Sequence, residues 1–100
     1  MVSIHYREER QGREAVVRMI GYGEEVDRFV VDHGHRNGPE VHSLSSTGII
    51  TITNERTGKL ITRLIARERQ IRRYYKAGKA PEYLIKIARE HEEKEYYKCS

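Results

Sequence analysis

The pattern of apolar and polar positions divides this chain into three parts. In the middle part, Gly48-Ile49-Ile50-Thr51-Ile52-Thr53 is β-branched almost throughout, and Leu60-Ile61-Thr62-Arg63-Leu64-Ile65 is its natural partner strand. Between them Asn54-Glu55-Arg56-Thr57-Gly58-Lys59 places Asn and Gly where a hairpin turn needs them. Upstream, Val41-His42-Ser43-Leu44-Ser45 alternates and ends at a second turn, Ser46-Thr47-Gly48. Arg28-Phe29-Val30-Val31-Asp32 forms a further strand, closed by the turn-rich Arg36-Asn37-Gly38-Pro39. These runs predict a meander of antiparallel strands.

The last third reads as helix. Glu68–Lys76 is a short helix ending before Gly78, and a longer one starts at Pro81, a residue suited to a first helical position. Leu84, Ile87, Ala88 and His91 recur at i, i+3, i+4 and i+7, an apolar stripe that predicts packing across the sheet. Glu82 near the start, with Lys94 and Lys98 near the end, complements the helix dipole, and Glu90, Glu92, Glu93 and Glu95 read as a solvated face. The first third stays open. Val2-Ser3-Ile4-His5-Tyr6 suits a strand, while Arg13–Ile20 suits a strand by its paired valines or a short helix by its Glu and Ala. The predicted fold class is α+β: an antiparallel β-meander of four to six strands with C-terminal helices packed on one face, all of residues 1–100 forming a single domain.

Composition sharpens that picture. Apolar residues are 37% of the chain and charged residues 34%, so the core must be thin, one layer of helix on one layer of sheet. No run approaches the ~20 apolar residues that span a bilayer, and the charged N-terminus lacks a signal core. The expectation is a soluble cytoplasmic protein, in the host cytoplasm if the source is a phage, with no membrane partner. The single cysteine, Cys99, has no pairing partner in the chain and is expected to be a reduced thiol without a role.

Charge is unevenly placed. Residues 56–79 carry Arg56, Lys59, Arg63, Arg67, Arg69, Arg72, Arg73, Lys76 and Lys79 against Glu68 alone, whereas the segments on either side are slightly acidic. Such a concentration of positive charge suits a phosphate backbone. Arg69, Arg72, Arg73 and Lys76 lie at helical spacing and present cations along one side; guanidinium forks match phosphate oxygens. Tyr74 and Tyr75 beside them are candidates for stacking on unpaired bases. Arg56, Lys59 and Arg63 complete the candidate nucleic-acid-binding set.

Two further constellations offer chemistry. His33-Gly34-His35 and His42 flank turn residues, so the chain doubles back and brings imidazoles near one another. Histidine is the usual proton shuttle near neutral pH. An endoribonuclease that forms a 2′,3′-cyclic phosphate needs a base, an acid and cations around the phosphorane. His35 and His42 are the predicted acid–base pair, with His33 as a substitute and Glu40 as an alternative base. Arg67 is the predicted phosphorane cation, and Thr53 or Thr62 the donor that holds a phosphate oxygen or a histidine tautomer. Thr51 shares the side of Thr53 on its strand. The histidine spacing matches no common zinc motif, so neither a metal nor any other cofactor is expected. Gly21-Tyr22-Gly23 lacks the rest of a nucleotide-binding fingerprint, there is no paired Cys motif, and no nucleophile elbow occurs, which argues against nucleotide-driven chemistry and covalent hydrolysis.

The basic segment, the histidines and the hairpin Gly48-Ile49-Ile50-Thr51-Ile52-Thr53-Asn54 … Thr57-Gly58-Lys59-Leu60-Ile61-Thr62 resemble the sheet of the barnase–EndoU–colicin–RelE group of small metal-independent ribonuclease toxins, over residues 28–67. The chain also looks like small proteins of bacteria and their phages. The resemblance implies a metal-independent endoribonuclease that works with His, Thr, Arg, Lys and Tyr side chains. The expected partner is RNA or single-stranded DNA, with a cognate inhibitor or an acidic protein as further partners. The competing expectation is a non-catalytic module that binds nucleic acid, or that inhibits a host nucleic-acid-processing protein in an anti-defence role.

Overall fold

Between Glu25 and Ile65 the β-branched runs and their turn residues form a sheet. The structure is a computed structural model that describes residues 11–34 and 36–94. Strands β1 (Glu25–Val31), β2 (Glu40–Ser45), β3 (Ile49–Asn54) and β4 (Leu60–Ile65) lie in sequence order and are antiparallel throughout. This is the predicted meander, with four strands among the described residues. The proposed strand at Val2–Tyr6 lies outside them.

Each turn is closed by the residues that announced it. Asn54 Oδ1 accepts the backbone N–H groups of Arg56 and Thr57 at 2.9 and 3.0 Å, while its own N–H donates to the Lys59 carbonyl. Gly58 takes φ +72°, a left-handed conformation open to glycine and costly for most residues. At the β2–β3 turn, Ser45 Oγ accepts the Ile49 N–H at 3.0 Å. Gly48 stands there at φ +87°, and an added Cβ would press on Ile87 Cγ2 at 3.2 Å.

Alternation then sorts the side chains onto two faces. Leu44, Ile50 and Leu64 are in register across β2, β3 and β4 and point to one face. Helices α2 (Glu68–Lys76) and α3 (Tyr83–Glu93) cover that face. Ile71 of α2 and Leu84, Ile85 and Ala88 of α3 join the three strand residues, with Ala66 and Ala80, in one buried cluster. The stripe predicted from Pro81 onward is therefore real but rotated: Ile85 is buried, whereas Ile87 and His91 are only half-buried.

The segment left open between strand and helix is helical, over residues 11–15 and again in a short α1 (Val17–Ile20). Glu and Ala prevail there over the paired valines because Val16 packs on Ile65, on the sheet's other face, with Ile20 beside it. Arg13 locks the contact. Its Nε donates to the Ile65 carbonyl at 3.0 Å and its Nη2 to Gln70 Oε1. Gln70 Oε1 also accepts the Arg67 N–H at 3.0 Å, which caps the start of α2.

The docking of α3 yields a direct check. Leu84 is fully buried between helix and sheet, so Leu84→Ala should lower unfolding free energy by about 2–5 kcal/mol in urea titrations. Met19→Ala, at a side chain 75% exposed, should stay within about 0.5 kcal/mol of the parent. Equal midpoints for the two variants would contradict the packing.

Candidate functional site

The most organised polar group lies at the β1–β2 end of the sheet. Register aligns Phe29, His42, Ile52 and Thr62 in one row on the covered face. His42 is 6% exposed and has both ring nitrogens engaged. Nδ1 and the Tyr74 hydroxyl share a hydrogen bond of 2.9 Å, and Nε2 lies 3.2 Å from Glu40 Oε1. His33, just past β1, brings its Nε2 to 3.8 Å from the same carboxylate oxygen. One ligand atom from each of His33, Glu40 and His42 lies within 4.8 Å of the others. The turn at residues 36–39 thus does fold these groups together. His35 lies outside the described residues.

The ring of His42 is held by aromatic contacts. Phe29 meets Tyr74 edge-on at 4.9 Å and His42 at 5.9 Å, and Lys79 Nζ stands 5.0 Å above the Phe29 ring. Burial pushes the Tyr74 phenol above its usual pKa; Glu40 adds to the rise, while Arg73 and Arg13 oppose it. Tyr74 therefore stays a neutral hydroxyl that can donate or accept. Tyr74, predicted as a stacking surface, is half-buried here and turns its hydroxyl to His42. Its i+3 spacing from the buried Ile71 carried that signal.

The other predicted catalytic residues do not join the cluster. Thr53 pairs with Val41 and faces the opposite side of the sheet, with Thr51, whose Oγ1 accepts Arg63 Nε at 3.0 Å. Thr62 shares the row of His42, but two strand spacings, roughly 10 Å, separate them. Its Oγ1 is buried without a hydrogen bond among the described residues. Arg67, the predicted phosphorane cation, follows the end of β4. Five residues beyond Thr62 place it roughly 15 Å along the sheet, away from Glu40.

The basic segment folds into separate places. Arg56 and Lys59 are exposed at the β3–β4 tip, where Arg56 lies against Gly38. Lys59, Asn37, Asn54 and Glu40 line a cleft of about 390 Å³ there. Arg63 extends over the Tyr22 ring at 5.3 Å on the face away from α2 and α3. On α2, Arg69, Arg72, Arg73 and Lys76 are exposed on the side opposite Ile71, as the helical spacing predicts. Arg72 is not available in full, because Glu68 Oε2 accepts its Nε at 2.7 Å and Glu68 also binds Arg89 at 3.1 Å. Arg69, Arg73 and Lys76 form no ion pair among the described residues. Tyr75, on the same helix, is 43% exposed.

Comparison with family models, curated proteins and solved structures gives no match for this chain. Its class is therefore given by the fold: an α+β domain with a covered four-stranded meander, a cationic helix face and an imidazole–carboxylate cluster. No helix among the described residues is long and apolar enough to cross a membrane.

Glu68 supplies a pH test. The hydrogen bonds from Arg89 and then Arg72 hold its carboxyl near pKa 2, against an ordinary 4.5. A depressed carboxylate contributes stability that is present above the ordinary value and lost as pH falls toward 2. The stability gap between the parent and Glu68→Gln should therefore narrow from pH 5 to pH 2.5. A carboxyl titration near 4.5 by NMR would contradict the pairing.

Proposed function

We propose that this chain binds single-stranded nucleic acid, RNA foremost, along the outer side of α2. The observation that carries the reading is the set Arg69, Arg73 and Lys76: exposed, on one helix side, and outside any ion pair among the described residues. Three cations at that spacing meet successive phosphates, and Tyr75 offers a ring for an unpaired base. Arg56 and Lys59 extend the positive surface at the hairpin tip.

Cleavage of the bound strand to a 2′,3′-cyclic phosphate is the second reading. It draws support from His33 and Glu40, both reachable from solvent, with Glu40 lining the same cleft as Lys59. His42 is enclosed and fully bonded, which makes it a poor direct partner for substrate. His33 and Glu40 stand 3.8 Å apart, whereas an acid and a base bracketing one phosphate need roughly 6 Å between them. Binding is therefore the function that the geometry supports best.

Charge removal tests it. The triple variant Arg69→Gln, Arg73→Gln, Lys76→Gln should keep its circular dichroism and bind a single-stranded oligoribonucleotide at least tenfold more weakly. The slope of log K against log salt should become shallower by about 2, since each lost phosphate contact removes about 0.7. Unchanged affinity and slope would sink the proposal.

A further inference from the structure

We propose that His33, Glu40 and His42 form a binding site for one divalent transition-metal ion of the zinc type. The proposal goes beyond the nucleic-acid reading and does not depend on it. Two imidazoles and one carboxylate are the ligand chemistry of Zn(II), Co(II) and Ni(II), rather than of Mg(II) or Ca(II), which take oxygen sets.

The spacing fits. Ligand atoms about 2.1 Å from a tetrahedral ion lie about 3.4 Å from one another. His42 Nε2 and His33 Nε2 stand 3.2 and 3.8 Å from Glu40 Oε1, and the whole set lies within 4.8 Å. Closing the set needs a shift of about 1 Å, and His33, 49% exposed beyond the end of β1, is the most solvent-accessible of the three.

A second feature points the same way. Metal-binding histidines are commonly fixed through the ring nitrogen that does not touch the metal. Tyr74 meets Nδ1 of the buried His42 at 2.9 Å, and Phe29 packs on both rings, so Nε2 is aimed at Glu40. With a metal on Nε2, Nδ1–H donates to the Tyr74 oxygen, so the phenol acts as the acceptor in that bond. Three protein ligands leave a fourth position for water, the ligand count of an open site rather than a closed structural one.

The test uses the full, tag-free chain carrying Cys99→Ser, which removes the thiol as a competing soft ligand. The protein is stripped with chelator, dialysed and titrated with ZnCl₂ by calorimetry, then with CoCl₂ by visible absorption. The expected result is one zinc per chain, no heat with MgCl₂, and cobalt bands of a mixed nitrogen–oxygen site. His33→Gln and Glu40→Gln, both at solvent-reachable side chains, should each weaken zinc at least tenfold with circular dichroism unchanged. Tyr74→Phe should weaken it about 10- to 100-fold as a positioning change. Absence of zinc uptake, or equal zinc affinity in the His33 and Glu40 variants, would overturn the assignment.

Discussion

A single covered sheet face carries this fold. With apolar residues at only 37% of the chain, the buried cluster has room for one layer of helix on one layer of sheet. Leu44, Ile50 and Leu64 supply the sheet's share, and Ile71, Leu84 and Ala88 supply the helices' share. Burial of each such side chain contributes about 1.5–3 kcal/mol before entropy is counted. Losing one therefore matters in a domain of this size. The placement of the Tyr74–His42 pair and of the cationic side of α2 follows from this contact. Docking Ile71 against the strands lowers Tyr74 onto His42, and the same rotation of α2 turns Arg69, Arg73 and Lys76 to solvent.

That coupling makes α2 a two-sided element. Its inner side completes a polar cluster at the edge of the core, and its outer side presents positive charge. The charges are partly neutralised within the fold: Glu68 collects Arg72 and Arg89, which ties α2 to α3 and subtracts one guanidinium from the free surface. Arg67, the arginine expected at a reacting phosphate, instead begins the helix, its backbone N–H held by Gln70. The net positive segment of the sequence is thus distributed by the fold into a helix face, a hairpin tip and the opposite face of the sheet.

Much of this architecture was legible in the residues. The strand β4 and the helix α2 keep the bounds that their sequence patterns predict, and Asn54 and Gly58 close the turn for which they were noted. Local signals suffice there, because alternation, turn chemistry and helical spacing act over a few residues. The segment at 13–20 was not decidable, since its helix is selected by Val16 packing on the distant Ile65. The histidine cluster was half legible. The turn predicted that the imidazoles come together, with Glu40 as an alternative base, but no local rule pairs His42 with a tyrosine 32 positions away. The threonines failed for a different reason: a strand's period of two sends Thr53 to the wrong face, and the row of Thr62 lies two strands from His42.

The central proposal is that the outer side of α2 binds single-stranded nucleic acid. The most direct measurement is a ¹H–¹⁵N NMR titration with a short single-stranded oligoribonucleotide at low salt. The account predicts amide shifts concentrated at Arg69, Arg73, Tyr75 and Lys76, with a weaker set at Arg56 and Lys59. Shifts confined to Arg28, Val30 and Arg63, on the sheet face away from α2, would contradict it.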